Sequence, residues 1–182
     1  MFVIHRNNQT IVTVIARYKK PSYSVSMRIT LLQTGKTRDR FIAEGVEEFS
    51  KRMTRYAPFT IETVPDLKNS RGKTMKEVQA EEGALILKRI KAGDYLILLD
   101  ERGKEFHSIG FAKHLNALEG RVNHLIFLIG GPYGFSEEVY SRANELFSLS
   151  RLTFSHQLIR LLFMEQIYRA FTILKGEPYH HV

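Results

Sequence analysis

From Met27 onward the apolar residues follow two alternating spacings. Arg28–Leu32 is a short apolar run closed by Thr34-Gly35, and Phe59–Val64 is a second run set between Pro58 and Pro65; both read as strands. Tyr95–Leu99 (YLILL) and His124–Ile129 (HLIFLI) are unbroken apolar runs, as expected of strands covered on both faces, and Leu146–Leu149 is a further short strand. Between them, Arg38–Arg55 carries Phe41, Ile42, Gly45, Val46, Phe49 and Met53 on one stripe, which is the helical period. Thr74–Lys91 and His107–Leu118, the latter ended by Gly120, read as helices, as do the short Ser136–Asn144 and the long Ser155–Lys175. Asp66–Lys73 is a polar loop, Glu101-Arg102-Gly103-Lys104 a turn, and Gly130–Gly134 a glycine loop. Strands alternating with helices predict an α/β fold, a mostly parallel sheet with helices on both faces.

Residues 1–26 break this pattern. IVTVIARY is followed by the polar, Pro-containing KKPSYSVSM, and a broken apolar run with no small-residue cleavage site argues against a signal peptide. The expectation is an extension outside the core, from a start placed upstream of Met27, with a basic RNA-binding arm as the alternative; residues 27–182 form one domain. Charge sharpens the picture. Lys and Arg number 27 against 19 Asp and Glu, for a net +8, and half of that excess sits in Arg6, Arg17, Lys19 and Lys20. A basic chain points first to a nucleic-acid partner, although the rest of the chain is only mildly basic. The absence of cysteine excludes a disulfide framework, thiolate zinc, an iron–sulfur cluster and a cysteine nucleophile. It fits a reducing, cytoplasmic setting. No apolar run approaches the ~18–20 residues of a membrane span.

Four segments carry candidate chemistry. In LIGGPYGFSEE (128–138) a buried strand runs into glycines, then into Ser136 as an N-cap with Glu137 and Glu138 in the first turn. Glycines at a strand's carboxyl end let backbone approach a ligand, although an ordinary strand-to-helix turn has the same appearance. The spacing is neither a Walker loop nor a dinucleotide fingerprint. SLSRLTFSHQLIR (148–160) offers hydroxyls and free amides at a helix start, for a polar small molecule or for simple capping. The last helix is apolar nearly all round, including Leu162 and Phe163, which implies a partner surface, most simply a homodimer. Arg160, Glu165 and Arg169 interrupt it, for pairing or for a substrate. The tail Gly176-Glu177-Pro178-Tyr179-His180-His181 offers proton-transfer groups near neutral pH, or a frayed end. There is no H-E-x-x-H, and adjacent histidines make a poor metal site, so no metal is expected.

Together, LLD (98–100), LIGGPYG (128–134), SLSRLTFSHQLIR (148–160), EQIYRA (165–170) and GEPYHH (176–181), with Glu82-Gly83, resemble the ribosomal RNA large subunit methyltransferase H family of the SPOUT class. The resemblance runs from Met27 to the end and leaves 1–26 without a counterpart. It implies a C-terminal trefoil knot, a homodimer and S-adenosylmethionine as methyl donor. The implied reaction is methylation of N3 of pseudouridine 1915 in 23S ribosomal RNA within the ribosome. Carried over by position, the cofactor contacts fall at Leu99, Asp100, Gly130, Gly131, Ser150, Arg151, Leu152, Thr153, Phe154 and Ser155. Tyr179 and His180 are the catalytic candidates, His156 and Arg160 their competitors. Tyr133 and Ser155 depart from the commonest family residues and bear on the pocket's shape. A non-catalytic RNA-binding α/β protein and a same-fold methyltransferase acting on transfer RNA are the alternatives.

Overall fold

The computed structural model describes residues 27–67 and 71–180, together with two short strands, β1 (His5–Arg6) and β2 (Gln9–Thr10), that pair antiparallel. The expectation for residues 1–26 as a whole lies outside the described residues. The main sheet contains β3 (Arg28–Thr34), β4 (Phe59–Val64), β5 (Tyr95–Glu105), β6 (His124–Ile129) and β7 (Glu145–Ser148). Their order is β4-β3-β6-β5-β7, with every pairing parallel. The helices are α1 (Arg40–Met53), α2 (Met75–Leu87), α3 (Ser108–Leu118), α4 (Glu137–Arg142) and α5 (Leu158–Lys175). The α/β reading therefore holds.

Strand alternation divides the interior in two. In β6, Leu125, Phe127 and Ile129 enter the core beneath α1, α3 and α5, while Ile126 and Leu128 enter the one beneath α2 and α4. This explains the unbroken HLIFLI run: both faces of the central strand are covered. α1 lies close on α5, where a Cβ at Gly45 would stand 2.7 Å from Leu161 Cδ1. Thr74 and Glu77 form a reciprocal capping box at the start of α2, which fixes that helix one residue inside its expected boundary.

Two expectations change. Glu101–Lys104 is not a turn: β5 continues to Glu105, with the ladder to β7 shifted between Leu99 and Lys104. The extra residues bulge out, and Gly103 permits the close approach, since a Cβ there would lie 2.5 Å from the Phe147 backbone nitrogen. The last helix begins at Leu158 rather than Ser155. The preceding segment is instead held across the molecule. Gln157 accepts from the Arg38 amide at 2.8 Å and donates to the Lys36 carbonyl at 3.3 Å. Arg160, fully buried, donates to the carbonyls of Thr34 (2.6 Å), Gly35 (3.1 Å) and His156 (3.0 Å) and to Thr37 Oγ1 (2.9 Å). The chain thus crosses from edge strand β7 to the end of β3.

Candidate active site

The bulge of β5 and the carboxyl ends of β6 and β7 open into a cavity of about 1020 Å³. Three segments wall it: residues 99–102 in the β5 bulge, just past the end of its pairing with β6, the glycine loop 130–134, and the crossing segment from Ser148. This is where ligands sit in open parallel sheets.

On the first wall, Asp100 accepts from Tyr140 Oη at 2.5 Å and from the Arg102 amide and Nε at 2.9 and 3.1 Å. Burial pushes its pKa up, but these donors outweigh that and hold it below the ordinary carboxylate range. Burial and the same carboxylate push the Tyr140 hydroxyl up to about 12, so it remains a donor. The Arg102 guanidinium lies 4.7 Å over the Tyr140 ring. Residues 100 and 140 have no sequence relation that predicts this pair; only the sheet order brings them together.

The glycine loop turns back on itself, Gly134 N donating to Gly131 O at 3.2 Å, with Gly134 at φ 77°. Gln79 of α2, which also lines the cavity, holds it by donating to the Tyr133 carbonyl at 2.6 Å. A Cβ at Gly130 would strike the Phe135 ring at 2.7 Å, and one at Gly131 would meet Glu82 Oε2 at 2.8 Å. Gly130 therefore requires glycine against the buried Phe135 ring, whereas at Gly131 the near neighbour is the carboxyl tip of Glu82.

In the third wall, Ser150 Oγ accepts from Leu152 N at 3.0 Å and Ser155 Oγ from Leu158 N at 3.1 Å, so these hydroxyls shape the segment. Leu152, Phe154 and Tyr133 leave exposed apolar surface at the mouth.

Nearly all the expected cofactor residues meet here: Leu99, Asp100, Gly130, Gly131, Ser150, Leu152, Thr153, Phe154 and Ser155 line the cavity. Arg151 does not; it points outward and pairs with Glu105 at 3.5 Å. His156 also lines the cavity, and burial, then Arg160 and Arg38, lower its pKa, so its imidazole is neutral near neutral pH and able to accept a proton. Arg160 is not on the wall, and its donors are occupied by the carbonyls that tie α5 to β3.

The tail stands apart from the cavity of its own chain, yet it is fixed. Tyr56 Oη donates to Glu177 at 2.5 Å, and Glu177 N to the Thr172 carbonyl at 2.9 Å. Tyr179 donates to Glu165 at 3.0 Å, packs edge-on against Tyr168, and lies beneath the Arg169 guanidinium at 4.9 Å. Arg169 Nη1 approaches His180 Nδ1 at 3.5 Å. His181 lies outside the described residues. Phe163 is interior, 4.7 Å from Phe127, so it is not on the partner-facing side expected for it; Leu162 is half-buried.

A family model described as "Predicted SPOUT methyltransferase" matches residues 27–180. The chain belongs to the SPOUT methyltransferase family. Relatives named "Ribosomal RNA large subunit methyltransferase H" share 51% identity in Parabacteroides distasonis, 49% in Bacteroides thetaiotaomicron and 47% in Flavobacterium johnsoniae. Each alignment spans 156 residues, 85% of this chain and 99% of the relative. In this SPOUT methyltransferase the three cavity walls coincide with the segments that carry the resemblance. Among the described residues no helix is long and apolar enough to cross a membrane.

Proposed function

We propose that this protein is an S-adenosylmethionine-dependent 23S ribosomal RNA (pseudouridine 1915-N3)-methyltransferase, a cytoplasmic homodimer that works on the ribosome without a metal. The observation that carries the reading is the three-walled cavity, whose residues fit a nucleoside-bearing donor. Gly130 and Gly131 bring backbone close, Leu99 offers an apolar side chain at the β5 bulge and Asp100 a charged acceptor beside it. Its volume suits a small-molecule site, for which roughly 300–1,000 Å³ is usual. The 47–51% identical relatives support the ribosomal substrate. The trefoil knot is part of this reading, with the 149–157 segment as the threaded piece.

When bound, the donor supplies a methyl group already activated on a sulfonium. The chain must then hold N3 in line and remove its proton. Positioning supplies ~7–11 kcal/mol in favourable cases, and a placed base ~10²–10⁴-fold in rate. His156 is the acceptor within one protomer. Tyr179 and His180 lie against Glu165 and Arg169, which with Leu158 and Leu162 form one half-buried stripe of α5. A second copy docked on that stripe would receive the tail at its own cavity, where Tyr179 would meet the base and His180 relay the proton.

Titration of S-adenosylhomocysteine with a chelator present, followed by methyl transfer to ribosomes and to transfer RNA, tests this. Binding and transfer to ribosomes alone are expected; no binding by folded protein overturns the reading. Truncation after Gly176 should leave donor binding nearly intact and slow transfer by ~10²-fold or more. Transfer at the wild-type rate would remove the tail from the chemistry and leave His156 alone as acceptor.

A further inference from the structure

Beside the cavity, over the end of β3, stands a second polar group. Glu82 of α2 is only 9% exposed, and among the described residues its carboxyl has no hydrogen-bond or ion-pair partner. It abuts Gly131 on the glycine loop. Burial, and then the field of the Asp66 carboxylate, raise its pKa; Asp66 itself packs its Oδ1 against Gly35, the residue that follows β3. β3 runs between β4, which leads to Asp66, and β6, which leads to Gly131. Glu82, against Gly131, and Asp66, against Gly35, therefore flank the end of β3. Thr34 closes that strand, paired with Val64 and on the same face as Leu32, which is the α2 side. Its hydroxyl is buried and makes no hydrogen bond.

Buried polar groups without partners are costly, and both burial and the field of Asp66 disfavour the charged form of Glu82. A cation with several N–H donors relieves both conditions. We propose that Glu82, Thr34 and Asp66 form the subsite for the ammonium group at the amino-acid end of the methyl donor, reached past Gly131. This inference rests on the donor reading above. The ammonium rather than the sulfonium fits, because three N–H groups match two carboxylates and a hydroxyl, whereas a sulfonium donates no hydrogen bond. The sulfonium must also face the acceptor base. Asp66 keeps Oδ2 on Arg38, 3.3 Å away, and so closes the outer side.

The test is calorimetry of wild type and Glu82→Gln with S-adenosylmethionine, S-adenosylhomocysteine and 5′-methylthioadenosine, which carry ammonium and sulfonium, ammonium alone, and neither. Glu82→Gln should weaken the first two tenfold or more and leave the third within twofold. Asp66→Asn, at the more exposed position, should give the same pattern with a smaller loss, and serves if the first variant does not fold. Equal loss for all three probes, loss for S-adenosylmethionine alone, or no loss overturns the assignment. A wild-type protein that binds none of the three overturns the proposed function itself.

Discussion

Arg160 separates a structural role from a chemical one. Its guanidinium is fully buried and donates to three backbone carbonyls and the Thr37 hydroxyl. No carboxylate pairs with it directly among the described residues, and burial lowers its pKa while the more distant Asp66 opposes this. Each hydrogen bond from a charged donor contributes about 1.5–3 kcal/mol, and burying the ion costs several kcal/mol in return. Arg160→Met loses the bonds and recovers the burial cost while keeping most of the side chain's volume. The net loss is about 3 kcal/mol, because the Thr34 and Gly35 carbonyls stay buried without that partner. For a chain of this size that lowers the melting temperature by roughly 6–12 °C. Donor affinity should fall in the same variant, since the His156 carbonyl belongs to the third wall. Arg160→Lys keeps the charge without the planar fork and should recover only part of the loss. Circular dichroism melts and donor calorimetry measure both. A variant that melts as wild type, binds donor normally and has lost methyl transfer would place the guanidinium on the substrate and refute the strut.

Gly131→Val should abolish S-adenosylhomocysteine binding in a folded protein, because the branched side chain would displace the Glu82 carboxyl, 2.8 Å from its Cβ, and fill the space where loop backbone meets the donor; calorimetry reads this directly. Leu162→Glu should give a folded monomer in sedimentation, whereas Phe163→Glu, which buries a charge against Phe127, should fail to fold. A chain starting at Met27 should match the full chain in melting temperature, dimerisation and donor affinity; a loss above ~1–2 kcal/mol would put residues 1–26 in the core.

The five parallel strands and the order of elements were legible because burial imposes a period, and YLILL and HLIFLI carry the mark of two covered faces. The continuation of β5 through Glu101–Lys104 was not. Charged residues around a glycine read as a turn, and only the Phe147 backbone lying against Gly103 explains the bulged strand. The glycine loop and the hydroxyl cluster were legible as places where backbone could meet a ligand. The Asp100–Tyr140 pair, the support of the glycine loop by Gln79 and the burial of Arg160 were not, since each depends on residues far apart in sequence. Arg160 in particular looks like a surface or substrate arginine until its carbonyl partners are seen.

The central position of β6 also governs when the protein can assemble. β3 pairs with β6 from Arg28↔His124 to Gln33↔Ile129, partners about a hundred positions apart, and such remote pairing slows folding. During synthesis β3, α1 and β4 emerge early but lack their inner neighbour until residue 129 is made. The third wall comes later still, because Arg160 and Gln157 fasten it to β3 from the start of α5. A nascent or C-terminally shortened chain ending before α5 therefore has all five strands of the main sheet and an open cavity, and ligand protection against proteolysis should arise only once that helix has docked.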